Sequence, residues 1–142
     1  MQSLPTVREF MDTKVPTLLP STLALDAVDF LLKNRVTGAP VVDEAGALLG
    51  IFTEKNCLNL VARSAEPESV QVCVSDLMTR EVKTIPPSMD VYFAAGLFLK
   101  VAFRRFPVVE EGRIVGAITR FDILRAIQAN REYLAANRTS NP

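Results

Sequence analysis

The 142-residue chain has no histidine, no tryptophan, two cysteines and six glycines. Without histidine there is no imidazole base for a nucleophilic triad, and the commonest zinc ligand is missing, which argues against hydrolytic and metal chemistry. Cys57 and Cys73 stand at no metal-binding or redox spacing. Long apolar runs are also absent: the most apolar stretch, residues 91–103, is too short to cross a bilayer and carries Lys100. No charged-then-apolar leader opens the sequence, so a reducing cytoplasm is the expected setting. Neither sign of charge is in excess. Sixteen lysines and arginines balance 16 aspartates and glutamates, so no global field draws the protein to nucleic acid or an anionic membrane, and any anion site must be local.

What the chain does have is apolar residues, 49% of the total and enough for a real core, and a repeat. "VREFMDTKVPTLLPS" lies over "VSDLMTREVKTIPPS", matching Val7 with Val74, Met11 with Met78, Val15 with Val82, Thr17 with Thr84 and Pro20 with Pro87. Later, "APVVDEAGALLGIFTEKN" lies over "FPVVEEGRIVGAITRFD" once Ala45 is treated as a loop insertion, so that Pro40 meets Pro107, Gly50 meets Gly116 and Thr53 meets Thr119.

Both copies read alike. A short amphipathic piece leads into an extended stretch (residues 15–18 or 82–85) closed by Pro20 or Pro87. Ser21 and Ser88 occupy the expected N-cap positions of the helices that follow. A strand ending "PVV", a tight turn and a second apolar strand form a hairpin, and a last helix begins at Thr53 or Thr119. The expected architecture is mixed α/β, of the α+β kind: two strand-helix-strand-strand-helix repeats (7–62 and 74–128), an exposed linker (63–73) and a fraying tail (129–142). Neither repeat can bury its sheet alone, so the two should pack about a pseudo-twofold axis into one module. The helices after Ser21 and Ser88, "LALDAVDFLL" and "VYFAAGLFLKVAF", have more apolar sides than one buried stripe requires. A homodimer through these helices is expected, the plainer alternative being that one chain satisfies both faces.

This order of features, twice over, resembles tandem cystathionine-beta-synthase (CBS) domains: a short strand after a methionine, a proline-serine helix start, a "PVV" strand, a glycine turn, and glycine-x-x-threonine-x-x-aspartate or asparagine. The resemblance runs from about Val7 to Gln128 and leaves no room for a catalytic domain. It implies two clefts between the repeats, a disc-shaped dimer, and regulatory binding of AMP, ADP, ATP or S-adenosylmethionine, with no cofactor besides such a ligand.

Thr119 and Asp122 then admit two readings. As a capping box they need no ligand: the threonine caps the helix amides and the aspartate reaches back. As a site, a carboxylate at a helix start can accept both hydroxyls of a ribose diol, with threonine and free amides favouring phosphate. The family places ribose and phosphate contacts at Thr119 and Asp122. By the same resemblance Val82, Thr84, Arg105, Phe106 and Pro107 line the base, with Phe106 supplying stacking area. Arg104, Arg105 and Arg120 are the concentrated positive charge nearby, suited to phosphate or else simply solvated, and Arg120 is the favoured contact.

The first repeat departs from this pattern. Asn56 replaces Asp122, and Gly38 and Ala39 replace Arg105 and Phe106, removing an acceptor, a charge and a ring. A weaker second site would comprise Val15, Thr17, Ala39, Thr53, Lys55 and Asn56, with Lys55 as a phosphate contact and Asn56 holding one ribose hydroxyl. The main reading is an adenine-nucleotide sensor acting on an unidentified protein partner; the alternative is a ligand-free dimerisation scaffold. An enzyme is not expected, because no nucleophile stands with a base and no metal cluster is present.

Overall fold

The computed structural model describes residues 4–62, 71–101 and 104–139. In chain order the elements are α1 (Val7–Phe10), α2 (Ala24–Asn34), β1 (Gly38–Val42), β2 (Leu48–Thr53), α3 (Glu54–Ala62), α4 (Val74–Leu77), α5 (Val91–Lys100), β3 (Arg105–Glu110), β4 (Arg113–Thr119), α6 (Arg120–Ala129) and α7 (Arg131–Thr139). The mixed helix and strand class expected from the sequence is present, with one two-stranded sheet, β1-β2 or β3-β4, from each repeat. Most of the expected linker, residues 63–70, and the last residues of the expected tail, 140–142, lie outside the described residues.

The chain divides into two compact units, and these cut across the order of the repeats. One unit gathers Lys14–Lys83 with Glu111–Ile114; the other gathers Met1–Thr13, Thr84–Glu110 and Val115–Pro142. Each unit therefore takes its short leading helix from the other copy. In the first-repeat unit, Val74, Leu77 and Met78 of and after α4 join a core with Leu31, Val41 and Phe52. In the second-repeat unit, Val7 of α1 joins Ile85, Phe98, Phe106 and Ile118. Both leading helices start on a capping box, Thr6 with Glu9 and Cys73 with Asp76.

The residue that follows each leading helix crosses the hairpin's second strand. Ile51 and Thr79 exchange both backbone hydrogen bonds, at 2.9 and 2.8 Å, and Asp12 and Ala117 do the same at 2.9 Å each. Glycine is required beside each crossing. A Cβ on Gly50 would lie 2.7 Å from the Thr79 carbonyl oxygen, and one on Gly116 would lie 2.8 Å from that of Asp12. The glycine of the repeated glycine-x-x-threonine motif is thus the seat of a close backbone approach.

Two local expectations are corrected. The opening strand of each repeat is a single parallel bridge, Leu18 to Val41 and Ile85 to Val108, because neighbouring prolines supply no further N–H groups for a ladder. Ser21 and Ser88 are not N-caps. Helix α2 starts after Leu23 with no side-chain cap, and α5 starts after Asp90, whose carboxylate accepts from Tyr92 N and Phe93 N at 2.7 and 3.2 Å. The serines sit in the turn just before, and the Ala24 and Val91 amides donate to Val72 and Pro5 carbonyls on the segments leading into the exchanged short helices. In the second hairpin Glu111 and Gly112 both have positive φ, 53° and 78°, the sign pattern of a tight hairpin turn. The first hairpin holds its extra residue by Asp43, whose Oδ1 accepts from Ala45 N and Ala47 N.

Candidate functional site

Strand β4 ends at Thr119 and α6 begins at the next residue, so the candidate pair sits at a strand-to-helix junction fixed by Gly116 three residues earlier. Thr119 and Asp122 form a reciprocal capping box. Asp122 Oδ2 accepts from Thr119 N at 2.9 Å and from Thr119 Oγ1 at 3.1 Å, while Asp122 N donates to Thr119 Oγ1 at 3.3 Å. The capping geometry is therefore real, but it uses only one carboxylate oxygen. Among the described residues Oδ1 has a single long contact, 3.5 Å from Arg125 Nη2. Asp122 is buried, so an acceptor with spare lone pairs stands at the helix start in a sheltered setting. The Thr119 hydroxyl spends its one hydrogen on Asp122. In this arrangement the oxygen of that hydroxyl keeps acceptor capacity.

The first repeat builds the same junction with one acceptor fewer. Asn56 Oδ1 accepts from Thr53 N at 2.8 Å and Thr53 Oγ1 at 3.1 Å, which fills both lone pairs of the amide oxygen. Asn56 Nδ2 points to Thr79 Oγ1 at 3.4 Å, on the crossing segment. Both contacts of the Asn56 oxygen among the described residues are thus with its own cap. Charge also reverses at the first helical position, Glu54 here against Arg120 in the second repeat.

Of the other residues proposed for the main site, Thr84, Arg105, Phe106, Pro107 and Arg120 belong to the same unit as Thr119 and Asp122, and Val82, half-buried, belongs to the other unit. Phe106 is fully buried and packs edge-on against Phe98, with ring centroids 4.7 Å apart. Its ring therefore belongs to the core of this unit, in a run of buried residues from Phe106 to Val108. Pro107 is buried as well, and its carbonyl accepts from Ile85 N at 3.0 Å. The guanidinium of Arg105 lies 3.9 Å from the Asp12 carboxylate, and its buried Nε has no hydrogen-bond partner among the described residues. Thr84, Arg104 and Arg120 are exposed. In the first-repeat unit Val15, Thr17 and Thr53 are half-buried, Ala39 and Asn56 are buried, and Lys55 is exposed.

Arg125 was not singled out in the sequence, yet it touches the candidate carboxylate. Its only signal there is the i,i+3 spacing from Asp122. Among the described residues there is no group of three or more metal-ligating side chains, and no helix is long and apolar enough to cross a membrane. Burial pushes the Cys57 thiol up, with Glu54 adding to the effect.

Comparison with known proteins identifies this arrangement. The CBS domain matches the chain twice, over residues 7–63 and 74–129. The chain is 31% identical over 121 residues to the uncharacterized protein MJ1225 of Methanocaldococcus jannaschii, covering 85% of this chain and 42% of that protein. It is 33% identical over 128 residues to the A-adding tRNA nucleotidyltransferase of Aquifex aeolicus, covering 90% of this chain and 15% of the enzyme. It thus spans less than half the length of these relatives. Among solved structures, CBSX2 of Arabidopsis thaliana in complex with AMP is 32% identical, with a TM-score of 0.78 over 89% of this chain and 98% of that one. The CBS domain pair of MJ0100 in complex with 5′-methylthioadenosine and S-adenosylmethionine is 26% identical, with a TM-score of 0.73 over 90% and 99%. The chain belongs to the CBS domain family and carries the domain twice in tandem.

Proposed function

We infer that this CBS pair is a regulatory module that binds an adenosine-containing nucleotide, with its dominant site at the start of α6 in the second repeat. The observation that carries this reading is the unequal state of the two motif residues. Asp122 keeps Oδ1 outside its cap, whereas Asn56 has no acceptor left. A carboxylate oxygen at a helix start suits sugar hydroxyls, and Arg120 beside it favours a phosphate where Glu54 opposes one. The AMP complex of CBSX2 and the S-adenosylmethionine complex of MJ0100 support the ligand class. Exposed Leu32 on α2 and Leu99 on α5, which occupy corresponding positions, support pairing of two copies through these helices. The proposed action on a protein partner is regulatory rather than catalytic.

A thermal-shift panel of AMP, ADP, ATP and S-adenosylmethionine tests the reading, since a ligand bound only by the native state raises the melting temperature by mass action. At least one should do so at millimolar concentration. A scaffold without a ligand is the second reading, favoured by the spent amide of Asn56 and the buried ring of Phe106; it predicts no shift with any of the four.

A further inference from the structure

Arg125 joins the candidate carboxylate to the exchanged helix α1. Its Nη2 lies 2.8 Å from the Phe10 carbonyl oxygen and 3.5 Å from Asp122 Oδ1, and its guanidinium carbon stands 5.9 Å from the centre of the Phe10 ring. Phe10 is the last residue of α1, and the next two residues, Met11 and Asp12, press on Gly116 and bridge Ala117. The other end of α1 is held independently, by Val7 N to the Met89 carbonyl at 2.8 Å, Arg8 N to the Pro87 carbonyl at 3.0 Å, and the Arg8–Glu110 ion pair. In the first repeat Asn59 stands at the position of Arg125, and the link to the crossing segment is the direct contact of Asn56 with Thr79. Among the described residues, only the second repeat makes this link through a half-exposed cation.

We propose that Arg125 is a positioning residue through which occupancy of Asp122 loosens the C-terminal end of α1. The proposal rests on the nucleotide reading above. The 3.5 Å contact is at the outer limit of a hydrogen bond, so it yields first when a ligand hydroxyl approaches Oδ1 at normal distance. A long side chain that loses one anchor regains rotamer freedom, and its bond to the Phe10 carbonyl weakens. Coupling of this kind is reciprocal: the grip of Arg125 on Asp122 and Phe10 opposes the ligand, and removing it favours binding.

Hydrogen exchange of the full chain, followed at residues 10–12 with and without AMP, tests this in wild type, Arg125→Ala and Arg125→Lys. AMP titrations are run alongside at high salt, where long-range attraction between Arg125 and phosphate is screened. In wild type, AMP should speed exchange at residues 10–12 by about twofold, in keeping with a half-exposed pair, while protection rises at the start of α6. Arg125→Ala should exchange about twofold faster there without ligand, respond no further to AMP, and bind AMP roughly twofold more tightly. Arg125→Lys, which keeps a donor and the charge, should recover part of the protection. Binding of AMP with residues 10–12 behaving alike in wild type and Arg125→Ala overturns the coupling alone. Failure of all three proteins to bind AMP, ATP or S-adenosylmethionine overturns the nucleotide reading, and the coupling with it.

Discussion

Replacing Asp122 with asparagine separates the carboxylate's two roles, because the first repeat already shows what asparagine does at this junction. Asn56 holds the backbone and hydroxyl of Thr53 at 2.8 and 3.1 Å, and Asp122 holds those of Thr119 at 2.9 and 3.1 Å. Asp122→Asn should therefore keep its cap. It gives up a negative charge in the first turn of α6, worth about 0.3–1 kcal/mol. It also gives up the long contact with half-exposed Arg125, a pair of the kind that contributes little. The net loss of stability should be about 1 kcal/mol at most, a fall in melting temperature of roughly 3 °C for a chain of this size. Affinity should respond more strongly. The variant's single oxygen is filled by the cap, so a ligand loses its charged acceptor, and one such hydrogen bond is worth about 1.5–3 kcal/mol. A loss of about 2 kcal/mol corresponds to roughly 30-fold weaker binding. Calorimetric titration with AMP beside a thermal melt reads both quantities. Unchanged affinity would refute the assignment of Oδ1 to the ligand, and a melting temperature that collapses would refute the equivalence of the two caps.

Other perturbations test the surrounding structure. Gly116→Ala drives a Cβ to 2.8 Å from the Asp12 carbonyl oxygen, where paired backbone bonds resist movement, and should cost about 1–3 kcal/mol in urea unfolding; a neutral result would contradict the close crossing. Phe106→Leu, which removes a buried ring and its edge contact with Phe98, should lower stability by about 1–2 kcal/mol and leave nucleotide affinity unchanged; a tenfold or greater loss of affinity would assign the ring a stacking role. The Cys57 thiol, pushed up by burial, should alkylate more slowly than a free cysteine. Because the fold favours its protonated form, the stability contributed by Cys57 is complete below the ordinary thiol range and is lost as pH rises through the folded-state value. Cys57→Ala should flatten that alkaline decline in unfolding experiments, and an unchanged slope would refute it.

The hairpins and the helices after them were legible in the sequence because apolar strands, "PVV" and glycine turns are local signals. The exchange of α1 and α4 was not, since nothing within "VREF" or "VSDL" says which core Val7 or Val74 will enter. The serine caps misled for a related reason: the amides at the starts of α2 and α5 are met by Val72 and Pro5, distant in sequence, and by Asp90, two residues past Ser88. At the candidate site, residue types alone left Thr119 and Asp122 open to both a cap and a ligand. Coordinates assign the cap to one oxygen and leave the other, a division that sequence cannot express. Phe106 shows the limit of composition: a ring next to an arginine looks like stacking surface, but here it lies in the core, edge-on to Phe98.

The stoichiometry of AMP binding by isothermal titration calorimetry bears on the inequality of the two repeats more directly than any other measurement. One equivalent per chain at the tighter affinity, abolished or strongly weakened by Asp122→Asn and unaffected by Asn56→Ala, is the predicted result. Two equal equivalents, or one that survives Asp122→Asn and vanishes in Asn56→Ala, would contradict it.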